Sequence, residues 1–150
     1  VPLIRKFREN RLLVVKRFSG ASFMAKILVA DDSSFVRVKL VSILQTAGHE
    51  VIETVDGTTV LTWEIAEQPD VIMLDLMMPG ADGWTTLGDL KIHEETLDIP
   101  VIISSSLSSD EDLIKAHKMG AFDFLPKPWT SDDLVKRIRW ASLARAANAA

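Results

Sequence analysis

Three aspartates, a serine and a lysine in this chain are residue types that can handle a phosphoryl group and a divalent cation. Asp31 and Asp32 follow one apolar run, Asp75 follows another, and Ser105 and Lys127 come after two more. Crowded carboxylates repel one another unless a cation compensates them, and Mg²⁺ prefers oxygen ligands. A carboxylate can attack phosphorus to give an acyl phosphate, which a hydroxyl and an ammonium can stabilise. These types therefore predict phosphoryl-transfer chemistry, provided that the fold brings them together.

The segments that must position these side chains alternate between two hydrophobic periods. The expected strands are Ile27–Ala30, Glu50–Val55, Val71–Leu74, Val101–Ile103 and Ala121–Leu125. The expected helices are 34–47, Thr58–Glu67, Trp84–His93, one opened by the capping box Ser108/Glu111, and one opened by Thr130/Asp133. Five strands alternating with five helices predict an α/β fold, a doubly wound parallel sheet with helices on both faces. Ligands of such sheets bind outside the carboxyl ends of the strands, where all five candidate side chains fall.

The pattern resembles the response-regulator receiver family of two-component systems, including its single-domain chemotaxis member. The resemblance rests on Asp31-Asp32, the segment 75–83, Ser105 and Lys127-Pro128, each following a strand in the right order, and covers about residues 25–140. It implies a flavodoxin-like (βα)5 fold with strand order 2-1-3-4-5. It also implies a signalling switch that catalyses only its own phosphorylation and slow dephosphorylation, and not an enzyme.

The resemblance gives each carboxylate a role. Asp75 would be the phosphoacceptor, and Asp31 and Asp32 would hold Mg²⁺ directly or through water. The backbone carbonyl of Met77 would be a further metal ligand. The simpler alternative for Asp31-Asp32 is a polar start to the first helix, with the first aspartate capping it.

The resemblance also implies the residues that receive the phosphoryl group. Ser105 would bond to it and Lys127 would pair with it, next to a cis Lys127–Pro128 peptide bond. Ser104 and Ser106 leave the choice of serine dependent on strand length. Phe124 occupies the position of a switch aromatic, although a buried strand needs no special reason for an aromatic.

The expected donor is a phosphohistidine on a sensor histidine kinase or a histidine phosphotransfer protein. The expected output surface comprises Asp110–Lys118, Ala121–Leu125 and Thr130–Arg139, read by a downstream target, an output domain or a second copy in a homodimer. A receiver-like scaffold that acts without phosphorylation is the alternative function. A phosphatase of the haloacid dehalogenase class would need an acid where Met77 stands. Apolar Met77 and Leu107 flank the path of the hydrolytic water in this family, which predicts slow self-dephosphorylation.

Composition and charge restrict the remaining possibilities. The 150 residues are 47% hydrophobic and contain no cysteine, which excludes disulfides and thiolate metal sites. No apolar run approaches the roughly 20 residues needed to span a bilayer, so we expect a soluble, cytoplasmic protein. Residues 24–150 contain 11 basic and 20 acidic residues, which argues against direct nucleic-acid binding. The three histidines are expected to be ordinary surface residues.

The expected domain organisation has three parts. Residues 1–23 have six basic residues against one acidic residue, and precede Met24. They are either upstream or expression-derived sequence or a basic arm that contacts a partner. Residues 24–142 would form the receiver domain. The alanine-rich residues 143–150 would be a helix end or the start of a linker.

Overall fold

The computed structural model describes residues 24–80 and 82–149 of the chain. The strands are β1 (Lys26–Ala30), β2 (Glu50–Thr54), β3 (Val71–Leu74), β4 (Val101–Ser105) and β5 (Asp123–Pro126). The helices are α1 (Ser34–Thr46), α2 (Gly57–Glu67), α3 (Gly83–Leu90), α4 (Asp110–Lys118) and α5 (Ser131–Ala149). Residues 1–23 lie outside the described residues, so both expectations for them stay predictions.

The five strands form one parallel sheet in the order β2-β1-β3-β4-β5. This confirms the predicted doubly wound, flavodoxin-like fold. One apolar cluster, including Leu28 and Ile72, packs under α2, α3 and α4. The other, including Val29 and Met73, packs under α1 and α5. All four residues of β3 are apolar and buried, as expected for a central strand of a parallel sheet that is covered on both faces.

The end of one helix and the capping box of another differ from the sequence expectation. Helix α3 ends at Leu90 and not at His93. The hydroxyl of buried Thr96 donates to the Leu90 carbonyl at 2.7 Å, which satisfies a carbonyl at the helix end. The capping box of α4 consists of Ser109 and Asp112, so the predicted pair one residue earlier was wrong.

The start of β5 also departs from expectation. Strand β5 begins at Asp123, two residues later than predicted. Helix α5 continues to Ala149, so residues 143–149 are helical. His49 is buried, with Nδ1 accepting a hydrogen bond from the Ala25 N–H at 3.1 Å, so its prediction as a surface residue was wrong. None of the described helices combines the length and apolar character required to cross a bilayer.

Candidate functional site at the carboxyl edge

Asp31 lies immediately after β1 and is 2% exposed, whereas Asp32 is exposed. The Asp31 N–H donates to the carbonyl of Thr54 at the end of β2, and its Oδ1 accepts from the Ser33 N–H at 2.9 Å. Ser33, and not an aspartate, caps α1 by accepting from the Val36 N–H. The alternative in which the first aspartate caps the helix is therefore wrong, and Asp31 is directed to the sheet edge.

Asp75 lies directly after β3 and is also buried. Its N–H donates to the Ala30 carbonyl at 2.9 Å, and its Oδ1 accepts from the Met77 N–H at 3.1 Å. The following loop returns so closely that a Cβ at Gly83 would lie 2.4 Å from the Leu76 Cα. Glycine is therefore required for α3 to begin against the backbone of the Asp75 loop.

Lys127 joins the two buried carboxylates. Its Nζ lies 2.7 Å from Oδ2 of Asp31 and 3.5 Å from Oδ2 of Asp75. The Lys127 N–H donates to the Ser105 carbonyl at 2.9 Å, which fixes the loop after β5 against β4. The Lys127–Pro128 peptide bond is cis, as the resemblance implied.

The pKa of Asp75 is raised from its ordinary value, chiefly because burial disfavours the charged carboxylate. The Met77 N–H and the Lys127 ammonium oppose this increase, and the negative charge of Asp31 adds to it. Ionised Asp75 is therefore incompletely compensated by the protein alone. An additional cation at this edge would relieve the repulsion.

The three carboxylates can present oxygen atoms within 4.8 Å of one another, a group able to hold a metal ion. This donor set consists entirely of hard oxygens, with one exposed member through which water can reach the ion. It fits Mg²⁺, which is bound through few carboxylates and keeps several waters. Asp31, Asp32 and Asp75 are thus brought together as the sequence predicted.

Three consecutive serines end β4 and differ in environment. Ser105 is fully buried, and its Oγ accepts a hydrogen bond from the Leu107 N–H at 3.1 Å. The Oγ of Ser104 is buried and has no hydrogen-bond partner among the described residues. Ser106 is exposed beside Lys127. Ser105 also carries the carbonyl that bonds to the Lys127 N–H, which supports its selection from sequence.

Phe124 is 4% exposed within the cluster under α2, α3 and α4. Its carbonyl accepts a hydrogen bond from Nη1 of Arg137 at 2.7 Å, and the same nitrogen pairs with Asp123 at 2.9 Å. Arg137 therefore attaches helix α5 to β5 at Asp123 and Phe124. The structure shows a core position, and the switch role of Phe124 stays a prediction.

Two features of this edge were not predicted from the sequence. Arg37 of α1 donates to the Asp31 carbonyl at 2.9 Å, a contact that depends on loop conformation and has no sequence signal. A groove of about 310 Å³ also runs from Lys127 between Phe35 and Trp129. The exposed apolar position of Phe35, directly after two serines, was the available signal for the groove.

The sequence matches the family described as response regulator receiver domain over residues 27–139. The chain belongs to this family and is a phosphorylation-controlled receiver domain of the two-component type, a signalling switch and not an enzyme.

Individual relatives agree with this assignment. The chain is 40% identical over 117 residues to the DNA-binding dual master transcriptional regulator RpaA of Synechocystis, which covers 77% of the chain and 48% of that protein. It is 36% identical over 115 residues to protein PilH of Pseudomonas aeruginosa, covering 77% of the chain and 95% of PilH. The chain thus spans about half of one relative and nearly all of the other.

Solved structures give the same fold. The chemotaxis response regulator CheY4 of Vibrio cholerae superposes with a TM-score of 0.74 at 28% identity, covering 79% of this chain and 99% of that one. The BeF₃-activated receiver domain of RstA from Klebsiella pneumoniae gives a TM-score of 0.73 at 29% identity, covering 78% and 97%.

Proposed function

We propose that Asp75 accepts a phosphoryl group from a phosphohistidine on a sensor histidine kinase or a histidine phosphotransfer protein. The observation that carries the proposal is the convergence of Asp31, Asp32, Asp75 and Lys127 at one edge of the sheet. A carboxylate oxygen of Asp75 attacks phosphorus as the phosphorus–nitrogen bond breaks, and the electron pair remains on the imidazole nitrogen.

Mg²⁺ would be held by Asp31, Asp32, Asp75 and the backbone carbonyl of Met77. When bound, the ion supplies positive charge to the carboxylates and to the phosphoryl oxygens. Lys127 provides the second positive charge. Its ammonium is 0.8 Å nearer to Asp31 (2.7 Å) than to Asp75 (3.5 Å). Phosphorylation of Asp75 would draw Lys127 towards the transferred group.

Ser105 would donate its hydroxyl proton to a phosphoryl oxygen. The Oγ of Ser105 already accepts from the Leu107 N–H, which leaves its proton free to take a new acceptor. Ser105 lies two residues after Ile103 on the same face of β4, and Ile103 pairs with Phe124 of the neighbouring strand. Movement of this buried serine would therefore change the space beside Phe124. This is the route by which the switch would bias the surface of α4, β5 and α5.

The groove beside α1 is the surface that we assign to the phosphodonor. Phe35 and Val38 are 79% and 69% exposed, a large apolar exposure for one helix face. A second groove, which also has Phe35 and Lys39 in its lining, reaches Ile43 and so continues the first groove along the helix. Because the first groove opens at Lys127, a donor helix that packs against Phe35 would present its phosphohistidine to Asp75.

Intact mass after incubation with Mg²⁺ and acetyl phosphate tests the phosphoacceptor. We expect the chain to gain the mass of one phosphoryl group, in a Mg²⁺-dependent manner, and the Asp75→Ala variant to gain none. Without a gain in the wild-type chain, even with a phosphorylated donor protein, the phosphorylation-independent scaffold would be the better assignment.

The lifetime of the phosphorylated chain tests the apolar flanks of the site. Met77 and Leu107 are 57% and 44% exposed and have no group that could orient an attacking water. We therefore expect an acyl phosphate that persists well beyond seconds after the donor is removed. The decay of the phosphorylated mass with time measures this lifetime, and a half-life of seconds or less would contradict the prediction.

A further inference from the structure

Arg37 connects the end of β1 to β2 from outside the carboxylate cluster. Its Nη1 donates to the backbone carbonyl of Asp31 at 2.9 Å, and its Nε lies 3.4 Å from a carboxylate oxygen of Glu53. The Arg37 side chain is 17% exposed, against 47% for Glu53. The guanidinium is therefore largely enclosed, and its planar set of donors spans two elements.

The Asp31 carbonyl is the part of the site that Arg37 controls. The other polar atoms of Asp31 are bonded to Thr54, Ser33 and Lys127. Its carbonyl oxygen belongs to the planar peptide unit that also contains the nitrogen of Asp32. Fixing that oxygen therefore fixes the direction in which the chain enters Asp32, the exposed carboxylate of the cluster.

From this geometry we propose that Arg37 is a positioning residue for the metal site. It acts through the peptide plane between Asp31 and Asp32 and touches none of the three carboxylates in the described contacts. The proposal rests on the proposed function, since it assigns a role in binding the cation that this function requires.

Replacing Arg37 should change Mg²⁺ affinity in opposite directions for a positioning role and for a purely electrostatic role. The positive charge of Arg37 repels a cation, so a purely electrostatic role predicts tighter Mg²⁺ binding when the charge is removed. A positioning role predicts weaker binding, because groups that orient metal ligands typically contribute about 10–100-fold to affinity.

Calorimetric titration with Mg²⁺ alone provides the test. We expect Arg37→Gln to weaken binding by about tenfold. Arg37→Lys, which keeps the charge but lacks the fork that reaches two acceptors, should also weaken it. Arg145→Gln is the matched control, since it removes the same guanidinium charge near the C-terminal end of α5, away from the carboxylate cluster. It should leave affinity unchanged or increase it.

A second readout tests the same role in phosphorylation. With acetyl phosphate, the Arg37→Gln rate should approach that of the wild type at saturating Mg²⁺, and should be reduced only at low Mg²⁺. Thermal unfolding would establish that each variant is folded at the temperature of titration. If Arg37→Gln did not fold, the Arg37→Lys titration alone would decide.

The outcomes are distinguishable from failure of the proposed function. Unchanged or tighter Mg²⁺ binding by a folded Arg37 variant, beside a normal wild type, would overturn the positioning role alone. A wild-type chain that bound no Mg²⁺ would overturn the proposed metal site and, with it, the role of Arg37.

Discussion

At the carboxyl edge of the sheet, Lys127 lies between two buried carboxylates, whereas at the amino edge buried polar side chains bond to backbone atoms. Thr96, fully buried in the connection from α3 to β4, donates to the Leu90 carbonyl. Lys91 donates to the carbonyls of Leu97 and Ile99. Polar groups at the amino edge thus complete local backbone structure, a stabilising arrangement.

At the carboxyl edge, by contrast, buried charged side chains lie next to one another. The pKa of buried Asp75 is raised by burial and by the neighbouring charge of Asp31, so its ionised form is disfavoured without an added cation. Side chains held together against repulsion indicate a site selected for binding and not for stability. The difference between the edges shows that a buried polar group should be judged by its partners, since Thr96 and Asp75 are both buried but only Asp75 lies beside another buried carboxylate.

The exposed apolar residues offer the sharpest test of this difference. Phe35 at the carboxyl edge and Ile92 at the amino edge are 79% and 75% exposed. We expect Phe35→Ser to slow phosphoryl transfer from a phosphorylated donor protein by about thirtyfold, as for a central interface residue worth roughly 2 kcal/mol. Phosphorylation by acetyl phosphate should be unaffected, because this small donor does not need the groove.

Ile92→Ser is the control, with matched exposure and no proximity to the site. Transfer rates from the donor protein can be measured by intact mass for both variants. Equal slowing by the two substitutions would remove the distinction between the edges, and normal transfer to the Phe35 variant would place the donor elsewhere.

At the amino edge the corresponding test concerns stability. Replacing Thr96 with valine preserves its shape but leaves the Leu90 carbonyl without its 2.7 Å hydrogen bond. We expect the free energy of unfolding in urea to fall by about 1.5 kcal/mol, while Mg²⁺-dependent phosphorylation is retained. Thr62→Val on the exposed face of α2 should change stability little. Loss of phosphorylation in a folded Thr96 variant would contradict the separation of roles.

The sequence predicted most of the carboxyl edge because each chemical residue directly follows an apolar strand. Parallel topology then brings Asp31, Asp75 and Lys127 together without further information. The start of α4 was harder to predict, because Ser108 and Ser109 both stand three residues before an acid. Strand β4 extends to Ser105, and the helix begins after the later serine. Local spacing is the same for both serines.

Two further misses depend on contacts between distant parts of the chain. The role of Arg37 follows from the orientation of one backbone carbonyl, which residue types do not encode. His49 is buried because the chain entering β1 packs over it, with the Ala25 N–H donating to its Nδ1. Such burial depends on the assembled sheet, so hydropathy around residue 49 gives no indication of it.

His49 also gives the smallest predicted effect, a pH dependence confined to the amino edge. Burial lowers its pKa below the ordinary value of 6.5, and the charge of Asp70 only partly opposes this. Protonation would convert Nδ1 from an acceptor into a donor and break its bond to the Ala25 N–H. The unfolded chain binds this proton more readily, so the contribution is fully present above about pH 6.5 and is lost as the pH falls from there through the folded pKa.

Urea unfolding of the wild-type chain and of His49→Gln across pH 5–8 measures this contribution, with other titrating groups common to both. The difference between the two free energies of unfolding should shrink as the pH falls below 6.5. A constant difference would mean that His49 contributes packing alone. Phosphorylation with acetyl phosphate should be the same in both proteins at pH 7.5, since His49 lies at the opposite edge from Asp75.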